Sequence, residues 1–354
     1  MSYIVILYVS MFSHTHGAPT MEDMPWWQEW LNMANKSYVD FVIDQVTQVW
    51  KKAFQNKNTA VEIFIQKWES GIAYNRRKSK NNLHDPTLSV LWIQDAINWS
   101  ILWIVWSTAC HPISMRRELS ADFVGVFRDT MKKNHPGAFS MFLQGFAATS
   151  NPSPHLGDYK GLENQRSFMN NVWLTLASEV SQILSLNDGK IIRWDIRTWS
   201  KEFSFWFDTH ILNGLHLDDS RLQEIPYRWW YAARNTLRTH LQWTQQLLRL
   251  GFLEEGNPVS IWASSHEVDG SIWKDMRSIL GWEPIMLGFS NGVQGYMVRP
   301  ENPEDECFPI RNESPLNYEA AHSHVWYGNS WPLIKWWYEK YIETFRELVE
   351  NTRR

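Results

Sequence analysis

His14 and His16 stand two residues apart where an apolar run gives way to Gly17. If the run Ile4 to Phe12 is a strand that continues, both imidazoles point to one face and meet one site with no turn between them. Gly17 then lets the chain leave the strand sharply. His111 follows a second apolar run, Ile101 to Ala109, and precedes Pro112. A residue at the end of a buried strand sits where a fixed scaffold meets an open loop. Imidazoles delivered by separate elements are the makings of a catalytic zinc site, which keeps an open position and activates a bound water for hydrolysis. The same residues read equally as hydrogen-bonded structural histidines, and spacing alone does not choose.

The elements that must position these residues alternate between two periods. From about Glu22 to Lys52, Val39, Val42, Val46 and Val49 recur at three and four residues, the spacing of an apolar helix stripe. Leu88 to Ile93 and Ile101 to Ala109 read as buried strands joined through Gln94-Asp95. Ser120 is placed to cap a helix carrying Phe123, Phe127 and Met131, which His135-Pro136-Gly137 stops. Ala138 to Leu143 reads as a strand, and Gln144 to Pro154 as a polar loop. Residues 165 to 255 read as helix-like segments separated by turns such as Asn187-Asp188-Gly189. A helix with Ile272, Met276, Ile279 and Leu280 ends at Gly281, a strand follows over Pro284 to Phe289, and Pro332 to Val349 is an amphipathic helix. Helices alternating with buried strands imply an α/β layered architecture, and the length of 354 residues allows one large domain or two modest ones. No internal repeat is evident.

Hydrophobic residues make up 44% and charged residues 20% of the chain, as in a folded protein rather than a disordered one. A net charge of −4 supplies no field that would gather nucleic acid, and Arg76-Arg77-Lys78 and Arg116-Arg117 are too short to change that. Cys110 and Cys307 allow one bridge and form no disulfide framework, so secreted and cytoplasmic settings both stay open. Asn35, Asn98 and Asn312 head glycosylation sequons that matter only in an exported chain. The opening run has the length of a signal core but no basic start, and fits a buried strand; Ala96 to Ala109 falls short of a bilayer span. The 23 tryptophans are explained most simply as core packing. Trp26, Trp27, Trp326, Trp331, Trp336 and Trp337 would offer a rim for peripheral membrane contact if they gathered at the surface.

Ser13-His14-Thr15-His16-Gly17-Ala18-Pro19 resembles the Thr-His-Thr-His-Ser-Gly-Pro motif of the neutral/alkaline non-lysosomal ceramidases. Further similarities follow in the family's order: Gly71 to Arg77, Asp85-Pro86, Ala109 to Pro112 with Leu119 to Phe123, and Pro136-Gly137. Phe142 to Gly145, Gly288 to Gly292 with Gly295-Tyr296, and Tyr318-Glu319 complete the series. The resemblance implies a single catalytic domain over 1–354, a layered α/β sandwich of mixed sheets flanked by helices, and a zinc amidohydrolase that cleaves the N-acyl amide of ceramide, with Zn2+ held by two histidines, a glutamate and a tyrosine. Carried onto matching positions, the metal ligands are His14, His111, Glu267 and Tyr296. His16 would face the metal-bound water or the substrate and relay a proton, its ordinary pKa lying near working pH. Arg77 or Arg76 would hold the substrate's polar head, and Tyr296 would also favour the tetrahedral intermediate as a donor.

The departures are specific. Where the family carries Gly-Asp-x-Ser-Pro, or Gly-Asp-x-Asn-Pro in its shorter relatives, this chain reads Ala147-Ala148-Thr149-Ser150-Asn151-Pro152, so that Asn151 stands at the place of the reaction-centre serine, as in the short branch, and Ser150 is off register. Ser265-His266 replaces the Pro-Gly before the glutamate, which makes His266 a rival ligand to Glu267. The histidine motif begins at residue 14 rather than after a long stretch of strands, and the family's C-terminal immunoglobulin-like domain has no counterpart here. A sheet short of strands would expose an edge and invite self-association or a partner that completes it. The expectation is a zinc-dependent amide hydrolase for an N-acyl, ceramide-like substrate; its rival is a catalytically silent relative that keeps the fold for binding or scaffolding.

Overall fold

The computed structural model describes residues 36–55, 59–77, 83–115, 118–157, 162–186, 188–206, 240–293, 295–299 and 335–353. The expected strand Ile4 to Phe12, His14, His16, Cys307 and Tyr318-Glu319 lie outside them, as do Trp26, Trp27, Trp326 and Trp331.

A first sheet has the order β5-β4-β3-β1-β7, from β1 (Val61–Glu69), β3 (Thr87–Asp95), β4 (Ile101–Thr108), β5 (Phe139–Gln144) and β7 (Lys190–Ile191). The β3–β4 turn is written into its residues: the Asp95 carboxylate accepts the N–H of Ile97 and Asn98, and the Asn98 side chain accepts that of Ser100. β4 and β5 are parallel, and α2 (Asp122–Asn134) makes the crossover between them. A second sheet has the order β12-β10-β9-β8, from β8 (Arg193–Trp206), β9 (His240–Phe252), β10 (Pro258–Ser264) and β12 (Ile285–Leu287). Here β10 and β12 are parallel, with α4 (Ile272–Leu280) between them. Two short pairs, β2 (Ala73–Asn75) with β6 (Ser150–Pro152) and β11 (Glu267–Val268) with β13 (Tyr296–Met297), lie outside the large sheets.

Strand alternation sorts side chains into three cores. Phe64, Val90, Trp92, Ile104 and Trp106 face one way and pack against α2 and α3 (Leu162–Leu186). Their neighbours Ile63, Ile65 and Leu91 face the other way and meet Leu248, Val259, Ile261, Ile285 and Leu287 of the second sheet. Trp243, Trp262 and Met286 turn from that contact toward α4 and α5 (Lys335–Arg353). The layers therefore run helix, sheet, sheet, helix, the α/β sandwich expected. Among the described residues no helix is long and apolar enough to cross a membrane.

Some expectations are corrected. β8 and β9 are long paired strands rather than helix-like segments, while α3 is the helix in this stretch. In α1 (Lys36–Gln55), Val46 and Val49 of the predicted stripe are exposed. Ala121, not Ser120, is the N-cap of α2, and the Ser120 hydroxyl accepts the Asp122 N–H instead. Trp337 is buried against Trp243 in the third core and so belongs to no surface rim. Cys110 is a buried free thiol.

Both sheets repeat one connectivity: two antiparallel pairings, then a helix crossover to a parallel edge strand. β1-β3-β4-α2-β5 in the first corresponds to β8-β9-β10-α4-β12 in the second. This is an internal repeat of topology that the amino-acid pattern does not display.

Trp106, 1% exposed between the rings of Phe127 and Phe142, anchors the first core. Trp106→Ala is expected to lower unfolding free energy by about 3–5 kcal/mol in denaturant titration. Ile97→Ala, at a side chain 84% exposed, should stay within about 0.5 kcal/mol of the parent.

Candidate functional site

The carboxyl ends of four strands converge. Gly145, just after β5, donates its N–H to the Thr108 carbonyl at the end of β4 (2.9 Å), and Ser290 donates to Ser264 at the end of β10 (2.9 Å). Gly288, just after β12, donates to the Gln144 carbonyl (3.1 Å) and so ties the second sheet to the first. A Cβ on Gly145 would lie 2.8 Å from the Thr108 carbonyl, and one on Gly288 would lie 3.0 Å from that of His266. Only residues without a side chain allow this approach.

His111 leaves the end of β4 and is buried, its N–H bonded to the Ser150 carbonyl (3.0 Å). Its Nδ1 lies 3.0 Å from the Ala147 carbonyl. A carbonyl only accepts, so Nδ1 carries the proton and Nε2 is the lone-pair atom. The Phe289 ring meets the imidazole edge-on at 6.2 Å. Phe289 and Asn291 both occupy the left-handed backbone region, with φ of 52° and 59°. Such strain in residues with side chains gathers where a loop is held for a purpose.

Glu267 and Tyr296 are direct register partners in the parallel pair β11–β13, so both side chains leave the same face. The Glu267 N–H is fixed by the Gly295 carbonyl at 2.9 Å. Between His111 and this pair runs 146–151, which is buried throughout rather than the open polar loop expected. Its backbone is held from both sides, by Ala148 N–H to the Val268 carbonyl (3.1 Å) and by Arg76 N–H to the Thr149 carbonyl (2.8 Å). The Arg76 guanidinium also donates to the Ala148 carbonyl at 3.0 Å.

The predicted residues fall out as follows. His111, Glu267, Tyr296 and Asn151 come to this confluence, and His14 and His16 lie outside the described residues. Arg77 is half-buried next to it, its N–H bonded to the Asn75 side chain (2.9 Å), while Arg76 braces the 146–151 segment. Asn151 pairs with Tyr74, and Ser150 with Asn75, across β2–β6. Adjacent strand residues face opposite sides, and the Ser150 hydroxyl lies 2.3 Å from where a Cβ on Gly270 would stand. His266 turns away from Glu267 into the third core, with Trp243 and Tyr341 edge-on at 4.5 and 5.9 Å and Ser264 Oγ 3.3 Å from Nδ1.

Asp269 was not singled out by sequence. It accepts the Thr149 hydroxyl (2.8 Å) and the Ser271 N–H (2.9 Å), locking the 146–151 segment to the start of α4. The signal was there in Asp269-Gly270-Ser271, a helix-start pattern ahead of an apolar-periodic run.

His111, Glu267 and Tyr296 fit part of a zinc donor set and do not complete one. Among the described residues, no group of three or more histidine, cysteine, aspartate or glutamate side chains is placed to hold a metal ion. The tautomer of His111 suits a ligand, since metal-bound imidazoles donate their other N–H to a carbonyl or carboxylate.

The fold of this chain is similar to that of solved ceramidases. The crystal structure of neutral ceramidase from Pseudomonas aeruginosa superposes with a TM-score of 0.66 at 14% identity, covering 98% of this chain and 61% of that one. A ceramidase complexed with C2 gives 0.70 at 14% identity, with 98% and 62% covered. This chain thus spans about three-fifths of the length of the ceramidases it matches. Identity this low establishes the shared fold, and it agrees with the resemblance of the motifs. No family model matches the chain, and no curated protein does.

Burial lowers the pKa of His266 from 6.5 to about 3, so the folded protein keeps this ring neutral. The unfolded chain takes up that proton below about pH 6.5. Stability from this group is therefore complete above that value and falls on acidification toward pH 3. Replacing it by His266→Gln is expected to flatten the pH dependence of unfolding between pH 6 and 4, by up to ~1.4 kcal/mol per pH unit. Urea titrations across that window measure it, and an unchanged slope would mean that the folded protein protonates His266.

Proposed function

We propose that this chain is a ceramidase-fold protein whose strand-end site binds an N-acyl, lipid-like ligand without hydrolysing it. The observation that carries this reading is the character of the site's buried groups. Asn151, buried beside His111, occupies the place where the resemblance to the ceramidases calls for a serine. An amide side chain both donates and accepts and so matches the amide of an N-acyl ligand, but it is no nucleophile. Ser150 does not substitute, because it faces the other side of β6.

A zinc-dependent amide hydrolase is the second reading, favoured by the register of Glu267 beside Tyr296 and by the Nδ1–H tautomer of His111. In that case His14 would complete the ligand set, His16 would relay the proton, and Arg77 would hold the polar head. Bound zinc would supply a water of lowered pKa and a polarised carbonyl.

One experiment separates them. Protein purified without added metal is analysed for zinc and titrated with a fluorescent short-chain ceramide, with released fatty acid measured in the same samples. The binding reading expects saturable binding, no acid release, and affinity about tenfold weaker in Asn151→Ala, the loss of roughly one hydrogen-bonding anchor. About one zinc per chain with acid release that Glu267→Gln abolishes would replace it with the hydrolase. Neither binding nor release would overturn both.

A further inference from the structure

A cavity of about 410 Å3 lies where β1 and β7 of the first sheet face the β9–β10 turn and the α4–β12 turn of the second. It shares no residue with the strand-end site: Pro258 and Val259, which line it, begin β10, whereas Glu267 follows the end of that strand. Small-molecule sites are commonly cavities of roughly 300–1,000 Å3 with apolar walls and a few polar groups. This one has Ile65, Leu253, Val259 and Trp282 as walls and Lys67 and Lys190 among its lining residues.

Lys67 is the unusual member. Only 24% of its side chain is exposed, and its Nζ donates to the Glu283 backbone carbonyl with the Glu283 carboxylate 3.9 Å away. That carboxylate is shared with Arg277. Burial lowers its pKa to about 8, outweighing the attraction of Asp85, and the repulsion from Arg277 acts in the same direction as burial. Lys190, half exposed, pairs with Glu255 at 2.8 Å. The Lys67 cation has thus lost more to desolvation than its neighbours return, and an anion in the cavity would make up the difference. The carboxylates of Glu283, Glu255 and Asp85 nearby favour a single negative charge over a doubly charged phosphate.

We propose that this cavity is a binding site for an aliphatic carboxylate, with its head on Lys67 and Lys190 and its chain against Ile65, Leu253, Val259 and Trp282. It stands independently of the function assigned to the strand-end site.

Calorimetric titration of the full chain with decanoate, below its aggregation concentration, tests the proposal against 1-decanol as the uncharged probe. One decanoate per chain is expected at pH 7, with decanol weaker by at least about tenfold and decanoate affinity falling as pH rises from 7 to 10. Lys67→Met should weaken decanoate by about tenfold or more. Leu253→Trp, which fills the cavity and leaves the charge in place, should also weaken it, with thermal unfolding confirming that both variants fold. A His111→Ala, Glu267→Gln double variant should bind decanoate as the parent does. Equal binding of decanol, undiminished binding in Lys67→Met and Leu253→Trp, or loss of binding in the His111, Glu267 variant would each overturn the site.

Discussion

One close approach makes the site: the end of β12 lies against the end of β5, joined by the hydrogen bond from Gly288 N–H to the Gln144 carbonyl. Two twisted sheets stacked through a layer of side chains ordinarily stand about 10 Å apart. Within each sheet Gly145 and Gly288 pass the Thr108 and His266 carbonyls with no Cβ to collide, and across the junction the Gly145 carbonyl lies 3.4 Å from where a Cβ on Gly288 would stand. The segments that leave these four strand ends carry His111, Asn151 and Glu267. His111 follows β4, the 146–151 segment follows β5, Glu267 follows β10, and Phe289 follows β12. Without the glycine contact, the first sheet would carry His111 and the second would carry Glu267 with Tyr296, as two separate half-sites.

Much of the sandwich could be read from the chain because its central strands are buried on both faces. Leu88 to Ile93 and Ile101 to Ala109 are nearly continuous apolar runs, which is how a strand covered on both sides reads. β8 and β9 were missed for a related reason. In β9, Trp243 and Leu247 face the helices while Leu248 faces the other sheet. That spacing imitates the three- and four-residue period of a helix stripe. In β8 a register shift between Trp194 and Arg197 breaks the alternation that would have marked a strand. Pairing between segments some fifty residues apart in sequence, such as Thr198 with Leu248, leaves no local trace. The exposed Val46 and Val49 show the opposite failure, an apolar period with no core beneath it among the described residues.

The site was legible where a residue's position on a strand decides its direction. His111, directly after an apolar run, could be placed by that reasoning, whereas Glu267 and Tyr296 came only from the resemblance of the motifs. The choice between His266 and Glu267 could not, because adjacent residues leave on opposite faces and sequence does not say which face meets the third core. Packing decides it: the His266 ring lies between Trp243 and Tyr341, and burial keeps it uncharged. The bond from Thr149 to Asp269 links residues 120 apart, and nothing local announces it.

The repeated connectivity explains why these particular residues meet. β4 ends at Thr108 and His111 comes three residues later; β10 ends at Ser264 and Glu267 comes three residues later. β5 is followed by Gly145-Phe146 and β12 by Gly288-Phe289, in the same relation to their sheets. The imidazole and the carboxylate therefore occupy corresponding corners of two like units, and the bond from Gly288 N–H to the Gln144 carbonyl joins the two units at those corners. A site built this way has a fixed frame and replaceable contents. The backbone bonds at the strand ends do not depend on which side chains leave them, so a change such as asparagine at position 151 can alter the chemistry without disturbing the frame. The same independence lets the fold match ceramidase at 14% identity, and it makes the side chains at these corners the carriers of any activity.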